Sequence, residues 1–282
     1  MKKLIINRQR IVIRRADIPE GRFRAAFLTD LHNACNPDET RRIMGALRHV
    51  KPDLILCGGD MLTAHPGETA VPARDFMAGL AEEYTVIAAY GNHEYRAFVY
   101  PEVYGSLYDD YTEPLKAAGV RFLDNADVRL HPGGVPLRVI GYSAPRKYYR
   151  RFHHTAMRTS ELSGRFGAVR SDEVTVLLAH NPYYYRTYER YGADLTLCGH
   201  YHGGVMQIGR NHGLISPDFR LFPENAHGML REKENSGAHV FVGAGMGEHT
   251  IPFRVFNPRE IAVFDFVTGK DAKISRGFSE TM

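Results

Sequence analysis

Five short apolar runs in the first two hundred residues each end in a polar loop. RAAFLT leads into Asp30-Leu31-His32. LILC leads into Gly58-Gly59-Asp60, and TVIAA into Tyr90-Gly91-Asn92-His93. VTVLLA leads into His180, and LTLC into Gly199-His200-Tyr201-His202. Short apolar runs rich in β-branched residues and bounded by such loops read as buried strands. Open α/β sheets collect their ligands at the carboxyl ends of their strands. The repetition therefore constrains the fold and also places Asp, His and Asn side chains along one sheet edge.

The intervening segments alternate with these runs. A helix is predicted from about Thr40 to Val50, with Ile43, Met44, Leu47 and Val50 on one face. Further helices are predicted over 74–82, before Gly119, and over 183–191, where Tyr184, Tyr188 and Tyr191 share a core-facing side. Residues 121–141 read as a hairpin around Pro132-Gly133-Gly134. Beyond Gly203 the strand-like segments GVMQIG, HVFVG, FRVF and EIAVFDF dominate. Alternating β and α followed by a β-rich tail predicts two packed mixed sheets with helices outside, a four-layer α/β/β/α sandwich. No linker, low-complexity tract or internal repeat divides the chain, so residues 1–282 are expected to form a single domain.

The composition, 44% hydrophobic and 24% charged over 282 residues, is that of an ordinary globular protein with a large core. The net charge of +4 mildly favours an anionic substrate. Cys35, Cys57 and Cys198 form no disulfide framework, and Cys57 and Cys198 read as small buried residues at strand ends. The opening MKKLIINRQRIVIRR has its apolar stretch broken by Asn7, Arg8, Gln9 and Arg10, and reads as neither signal peptide nor anchor. The expectation is a cytoplasmic protein, with peripheral membrane contact left open.

Taken singly, each loop has an ordinary reading as a turn or a surface polar pair. Together they supply two cations with ligands. Asp30 and His32, two apart in one loop, can both turn toward one ion. Asp60 follows two glycines that leave room beside the main chain. Asn92 offers a neutral amide oxygen, and His180, His200 and His202 offer imidazoles. His93 adjoins Asn92, and adjacent side chains diverge, so His93 is expected to face the substrate instead of a metal. Carboxylate, imidazole and amide ligands suit manganese, iron, zinc or cobalt. Two such ions suit a hydrolase, in which they activate a water. The cationic, aromatic stretch APRKYYRRFHH is either a solvated loop or a substrate rim, with Arg146, Lys147, Arg150 and Arg151 as the candidate anion contacts. His227, His249 and Arg254 are further candidates around the site.

The motifs D-x-H, G-D, G-N-H-[DE], H and G-H-x-H run in this order from Asp30 to His202. In this the chain resembles the calcineurin-like metallophosphoesterase superfamily. The resemblance implies that Asp30, His32 and His202 bind one metal and that Asn92, His180 and His200 bind the other. Asp60 would bridge them, and His93 would contact a phosphate oxygen or protonate the leaving group. The tail, GHYHGGVMQI and then GAGMGEHTIPFRVFNPREIAVFDF, is similar to a bacterial branch of membrane-associated phosphodiesterases and UDP-diacylglucosamine pyrophosphatase-like enzymes. The implied reaction is hydrolysis of a phosphodiester or pyrophosphate bond by a hydroxide shared between the metals, with Asp60, Asn92 and His93 closest to the chemistry. The implied substrate is an anionic phosphate-bearing small molecule or a lipid-linked one. The modest charge argues against nucleic acid and so against a nuclease. A phosphomonoesterase or a non-catalytic metal-bound scaffold would also fit these motifs. Thr63 stands where purple acid phosphatases place a tyrosine ligand, so their tyrosinate–iron colour is not expected.

Overall fold

The computed structural model describes residues 3–150, 155–209, 211–217, 220–230, 237–248 and 254–272. Its strands are β1 (Leu4–Ile13), β2 (Gly21–Leu28), β3 (Leu54–Cys57), β4 (Thr85–Ala89), β5 (Arg121–Leu123), β6 (Ala126–Leu130) and β7 (Leu137–Tyr142). They continue as β8 (Val174–Ala179), β9 (Leu195–Cys198), β10 (Gln207–Ile208), β11 (His212–Gly213), β12 (Gly228–Met229), β13 (His239–Val242) and β14 (Arg259–Thr268). The helices are α1 (Pro37–Val50), α2 (Val71–Glu83), α3 (Asn92–Val99), α4 (Pro101–Tyr104), α5 (Leu107–Ala117), α6 (Thr159–Phe166) and α7 (Tyr185–Tyr191).

Two six-stranded sheets result, ordered β1-β14-β2-β3-β4-β5 and β12-β13-β9-β8-β7-β6. Strands β2 to β5 run parallel, as do β7, β8, β9 and β13. Both sheets are mixed, because β14 lies antiparallel to β2, β6 to β7 and β12 to β13. Period-two alternation sorts each strand between layers. Phe27, Leu54, Leu56 and Ile87 face Val139, Val176, Leu178 and Leu197 across the space between the sheets. Ala26, Ile55 and Cys57 point the other way, against Ile43 and Leu47 of α1 and Phe76 and Leu80 of α2. Leu177 and Val240 of the second sheet pack against Leu162 of α6 and Tyr188 of α7. This is the α/β/β/α sandwich that the sequence pattern predicts.

Several elements differ from their predicted bounds. Helix α1 starts at Pro37, before Thr40, because Asn36 caps it by accepting from the Glu39 N–H at 2.9 Å and proline suits the first helical position. The predicted hairpin over 121–141 is divided between the sheets. Its first strand, β5, pairs with β4, while β6 and β7 form the hairpin in the other sheet. Of GVMQIG only Gln207–Ile208 is a strand, and of FRVF the described part makes one bridge, Val255 to Met206. The opening segment, which carries no clean strand signal, forms the edge strand β1 and pairs in parallel with β14.

Candidate active site

The topology brings the carboxyl ends of β2, β3, β4, β8, β9 and β13 to one edge of the sandwich. The loops there are held by one another. The Asp30 N–H donates to Gly59 O at 3.0 Å and the His32 N–H to Asp60 O at 3.1 Å. The Met246 N–H donates to Thr29 O at 3.1 Å, and the Gly247 N–H to Asp30 O at 2.6 Å. Gly59 (φ 95°) and Gly91 lie back to back. A β-carbon on the first would strike the Gly91 nitrogen, and one on the second the Asp60 carboxylate.

Asp30, His32, Asp60, His200 and His202 all sit at positive φ, between 48° and 69°. Such backbone costs about 1–3 kcal/mol per non-glycine residue and persists where surrounding contacts over-determine it. Here it turns five side chains toward a common centre. Ligand atoms of Asp30, His32 and His202 lie within 4.8 Å of one another, and so do those of Asp60, His180 and His200. Asp60 Oδ2 falls between these groups, 3.1 Å from His180 Nε2 and 3.8 Å from His32 Nε2. His202 Nε2 is 3.3 Å from Asp30 Oδ1 and 3.1 Å from His32 Nε2.

This donor set fits divalent cations. His180 Nδ1 lies 2.8 Å from Gly58 O, which fixes a proton there and leaves Nε2 directed at Asp60. The Asn92 Oδ1 atom is buried without a hydrogen-bond partner among the described residues. Asp30 and Asp60 are fully buried. Burial and the Asp60 charge push the Asp30 carboxyl up to about 6, against the pull of His180. Burial also opposes ionisation of Asp60, but His180, His93 and His32 hold it well below the usual carboxylate range. Burial lowers the His180 imidazole, yet Asp60 and Asp30 outweigh it and raise it to about 10. So much paired charge out of water is a place where cations substitute for protons.

His32, Asp60 and His93 also lie within 4.8 Å of one another in ligand atoms. However, the Ala64 N–H donates to His93 Nδ1 at 2.8 Å, so that nitrogen is taken and the ring proton sits on Nε2. The His93 backbone N–H donates to Asp60 Oδ1 at 2.8 Å.

Glu94 closes the G-N-H-[DE] motif, and the structure gives it a positioning role that the motif alone does not state. Its Oε2 accepts from the N–H groups of Asp60 (2.8 Å) and Gly91 (3.0 Å), and its Oε1 from that of Met61 (2.8 Å). One buried carboxylate thus ties the loop after β3 to the start of α3. Burial and the Asp60 charge raise Glu94 to about 7, against the N–H groups that favour its charged form. Glu94→Gln puts an amide N–H₂ against one pair of these donors. The expected cost is about 1–3 kcal/mol, the penalty of a buried unsatisfied group, read as a lower urea midpoint. An unchanged midpoint would show that these contacts do not hold the loops.

The edge opens into a cavity of about 780 Å³ lined by His32, Asn92, His93 and His200 on its floor. Arg146 and Arg150 line it, as does Tyr149, whose ring meets His200 edge-on at 5.3 Å. Lys147 does not. It lies over the Tyr148 ring at 4.7 Å and 4.0 Å from Glu161, on the far side of the turn. Arg151 and His249 fall outside the described residues. Arg254 donates to Ala244 O at 2.8 Å and Gly247 O at 3.1 Å, bracing the loop behind Asp30. His227 is half-buried away from the cavity lining. Cys57 and Cys198 are fully buried, with their thiols pushed up by burial. Thr63 Oγ1 approaches His32 Nδ1 at 3.4 Å.

The family model for calcineurin-like phosphoesterases matches residues 23–204, a span that contains all of these strand-end loops up to His202. This chain belongs to the calcineurin-like phosphoesterase family. Two metallophosphoesterases, both named as uncharacterized, are similar to it over most of their length. One is YkuE of Bacillus subtilis (strain 168), 22% identical over 256 residues that cover 88% of this chain and 80% of that protein. The other, from Aquifex aeolicus (strain VF5), is 26% identical over 258 residues, covering 90% and 89%. Among solved structures, TT1561 of Thermus thermophilus is similar at 11% identity with a TM-score of 0.49, over 79% of this chain and 89% of that one. As a calcineurin-like phosphoesterase, the protein is a metal-dependent phosphoric ester hydrolase that uses divalent metals and acts on a phosphate-containing substrate. No helix among the described residues is long and apolar enough to cross a membrane.

Proposed function

We propose that this calcineurin-like phosphoesterase hydrolyses a phosphodiester or pyrophosphate bond. In this reading Asp30, His32 and His202 hold one divalent cation, and Asn92, His180 and His200 hold a second. Asp60 is shared. The supporting observation is the position of Asp60 Oδ2 between His180 Nε2 and His32 Nε2. Ligands come from loops of both sheets, which also supports a single domain. Manganese, iron, zinc and cobalt all suit this donor set.

When bound, the cations supply Lewis acidity at the phosphoryl oxygens and lower the pKa of a water. The chain's own residues do the rest. Asp30 and Asp60 fix the ligand geometry through hydrogen bonds with backbone N–H groups. His93 presents Nε2–H to the cavity. As the water oxygen forms its bond to phosphorus and the opposite P–O bond breaks, that proton goes to the leaving oxygen. Arg146 and Arg150 meet the anionic remainder of the substrate.

The test is turnover of bis-p-nitrophenyl phosphate against p-nitrophenyl phosphate by manganese-loaded protein. The diester is expected to be hydrolysed, with manganese the strongest activator. Robust monoesterase activity with no action on any diester would reverse the assignment. A lipid-linked substrate is a second reading, favoured by the exposed apolar side chains of Phe98, Val99 and Val103 around Tyr100. It requires an acyl-chain diester in mixed micelles to be turned over better than its short-chain analogue.

A further inference from the structure

The loop that carries His202 is wound against the preference of L-residues. His202, Gly203, Gly204 and Val205 sit at successive positive φ values of 48°, 65°, 70° and 63°. His202 and the β-branched Val205 resist this backbone, so contacts from elsewhere must hold it. One comes from Asn257, just ahead of β14 and beyond residues 23–204, the span that the family model matches. Asn257 is buried. Its Nδ2 donates to His202 O at 2.6 Å and lies 3.4 Å from Val205 O, at the two ends of the left-handed stretch. Its Oδ1 accepts from Gln207 Nε2 at 3.0 Å, and Arg254 Nη1 approaches the same oxygen at 3.4 Å. Carbonyls on one side and a guanidinium on the other fix which end of the amide faces His202. A β-carbon on Gly203 would strike Asn257 Oδ1.

The Arg254 guanidinium also donates to Ala244 O at 2.8 Å and to Gly247 O at 3.1 Å. The Gly247 N–H in turn donates to Asp30 O at 2.6 Å. Residues 254–257 therefore hold the main chain of Asp30 at one end and that of His202 at the other. The side chains of these two residues meet, with Asp30 Oδ1 3.3 Å from His202 Nε2. The other ligand group is secured without this clasp. His180 rests on Gly58 O, and Asn92 opens α3, whose first turn Glu94 ties to the loop after β3. Among the described residues no hydrogen bond joins residues 254–257 to Asn92 or His180.

We infer that Asn257 and Arg254 are positioning residues for one of the two cations, the one assigned to Asp30, His32 and His202, and that they set its affinity separately from that of the other. This rests on the two-cation reading above. Without the clasp the left-handed loop relaxes toward ordinary backbone. Only a fraction of molecules then presents His202 in place, and the apparent affinity falls by that fraction.

Calorimetric titration of metal-stripped, full-length protein with manganese tests this. The wild type is expected to take up two ions per chain. Asn257→Ala is expected to weaken one step about 10–100-fold, the usual effect of losing a partner that orients a metal ligand, and to leave the other step unchanged. Arg254→Gln, which frees the loop on Asp30, should weaken the same step and gives an independent reading should Asn257→Ala fail to fold. A thermodynamic cycle identifies the step. In a His180→Ala background Asn257→Ala should still weaken the remaining ion, and in a His202→Ala background it should add no further loss. Leu162→Ala, in the core between α6 and the second sheet, lowers the urea midpoint without touching either loop and should leave both steps intact. Equal weakening of both steps, weakening of neither, or a loss that survives in the His202→Ala background overturns the clasp. A wild type that takes up a single ion overturns the two-cation reading, and the clasp is then decided by whether Asn257→Ala weakens that ion.

Discussion

Asp60→Ala should release both metals and reduce hydrolysis to background. The Asp60 carboxylate lies between the two ligand groups and is fully buried. No neighbouring side chain is placed to replace it, since Glu94 is committed to backbone N–H groups and Asp30 to the His200 N–H. The loss should exceed the roughly 10–100-fold typical of residues that only orient a metal ligand. Metal analysis of the variant checks this directly. Retention of two ions per chain would place the shared ligand elsewhere, and a fully loaded wild type holding a single ion would remove the two-cation reading altogether.

His93→Ala should behave differently, keeping both ions while losing about 10²–10⁴-fold in rate, the usual range for general acid–base catalysis. The distinction follows from geometry. His93 Nδ1 accepts from the Ala64 N–H, so the ring has one hydrogen to offer, on Nε2. The loss should be largest for alkoxide leaving groups and smallest for p-nitrophenolate, which departs without a proton. Metal content falling in step with activity would make His93 a ligand, as its closeness to His32 and Asp60 allows on distance alone.

The parts of the molecule legible in the sequence are those whose signal is local. A buried parallel strand must be apolar throughout, and its carboxyl end must be a loop. LILC-GGD and LTLC-GHYH therefore announce both the sheet and the residues facing its edge. The unread parts depend on distant partners. In β1, Asn7 interrupts an apolar run, and only the structure shows why it is there: its amide donates to Glu260 at 2.7 Å, across 253 residues. Glu94 is marked as the acid of G-N-H-[DE], but the motif does not say what that acid holds. Its role appears only once the loop after β3 is folded against it. The basic stretch reads as one rim, but a short 3₁₀ turn over Arg146–Tyr149 splits it, sending Arg146 to the cavity and Lys147 to Glu161. Asn257 carries no sequence signal at all, because nothing in RVFNPRE marks the asparagine as a partner of His202, 55 residues away.

The insertion of β14 between β1 and β2 has a consequence for how the chain is made on the ribosome. The edge of β2 that β14 will cover is synthesised about 240 residues before β14 is complete, roughly 12–48 s at about 5–20 residues per second. For that time an apolar strand edge ending in AAFL stands open and invites the wrong pairing. The same delay governs the loop behind Asp30. Glu260 of β14 accepts from the Ala244 N–H at 2.8 Å and so secures the loop whose Gly247 N–H clasps Asp30. The loop that clasps Asp30 is therefore secured only once β14 is in place.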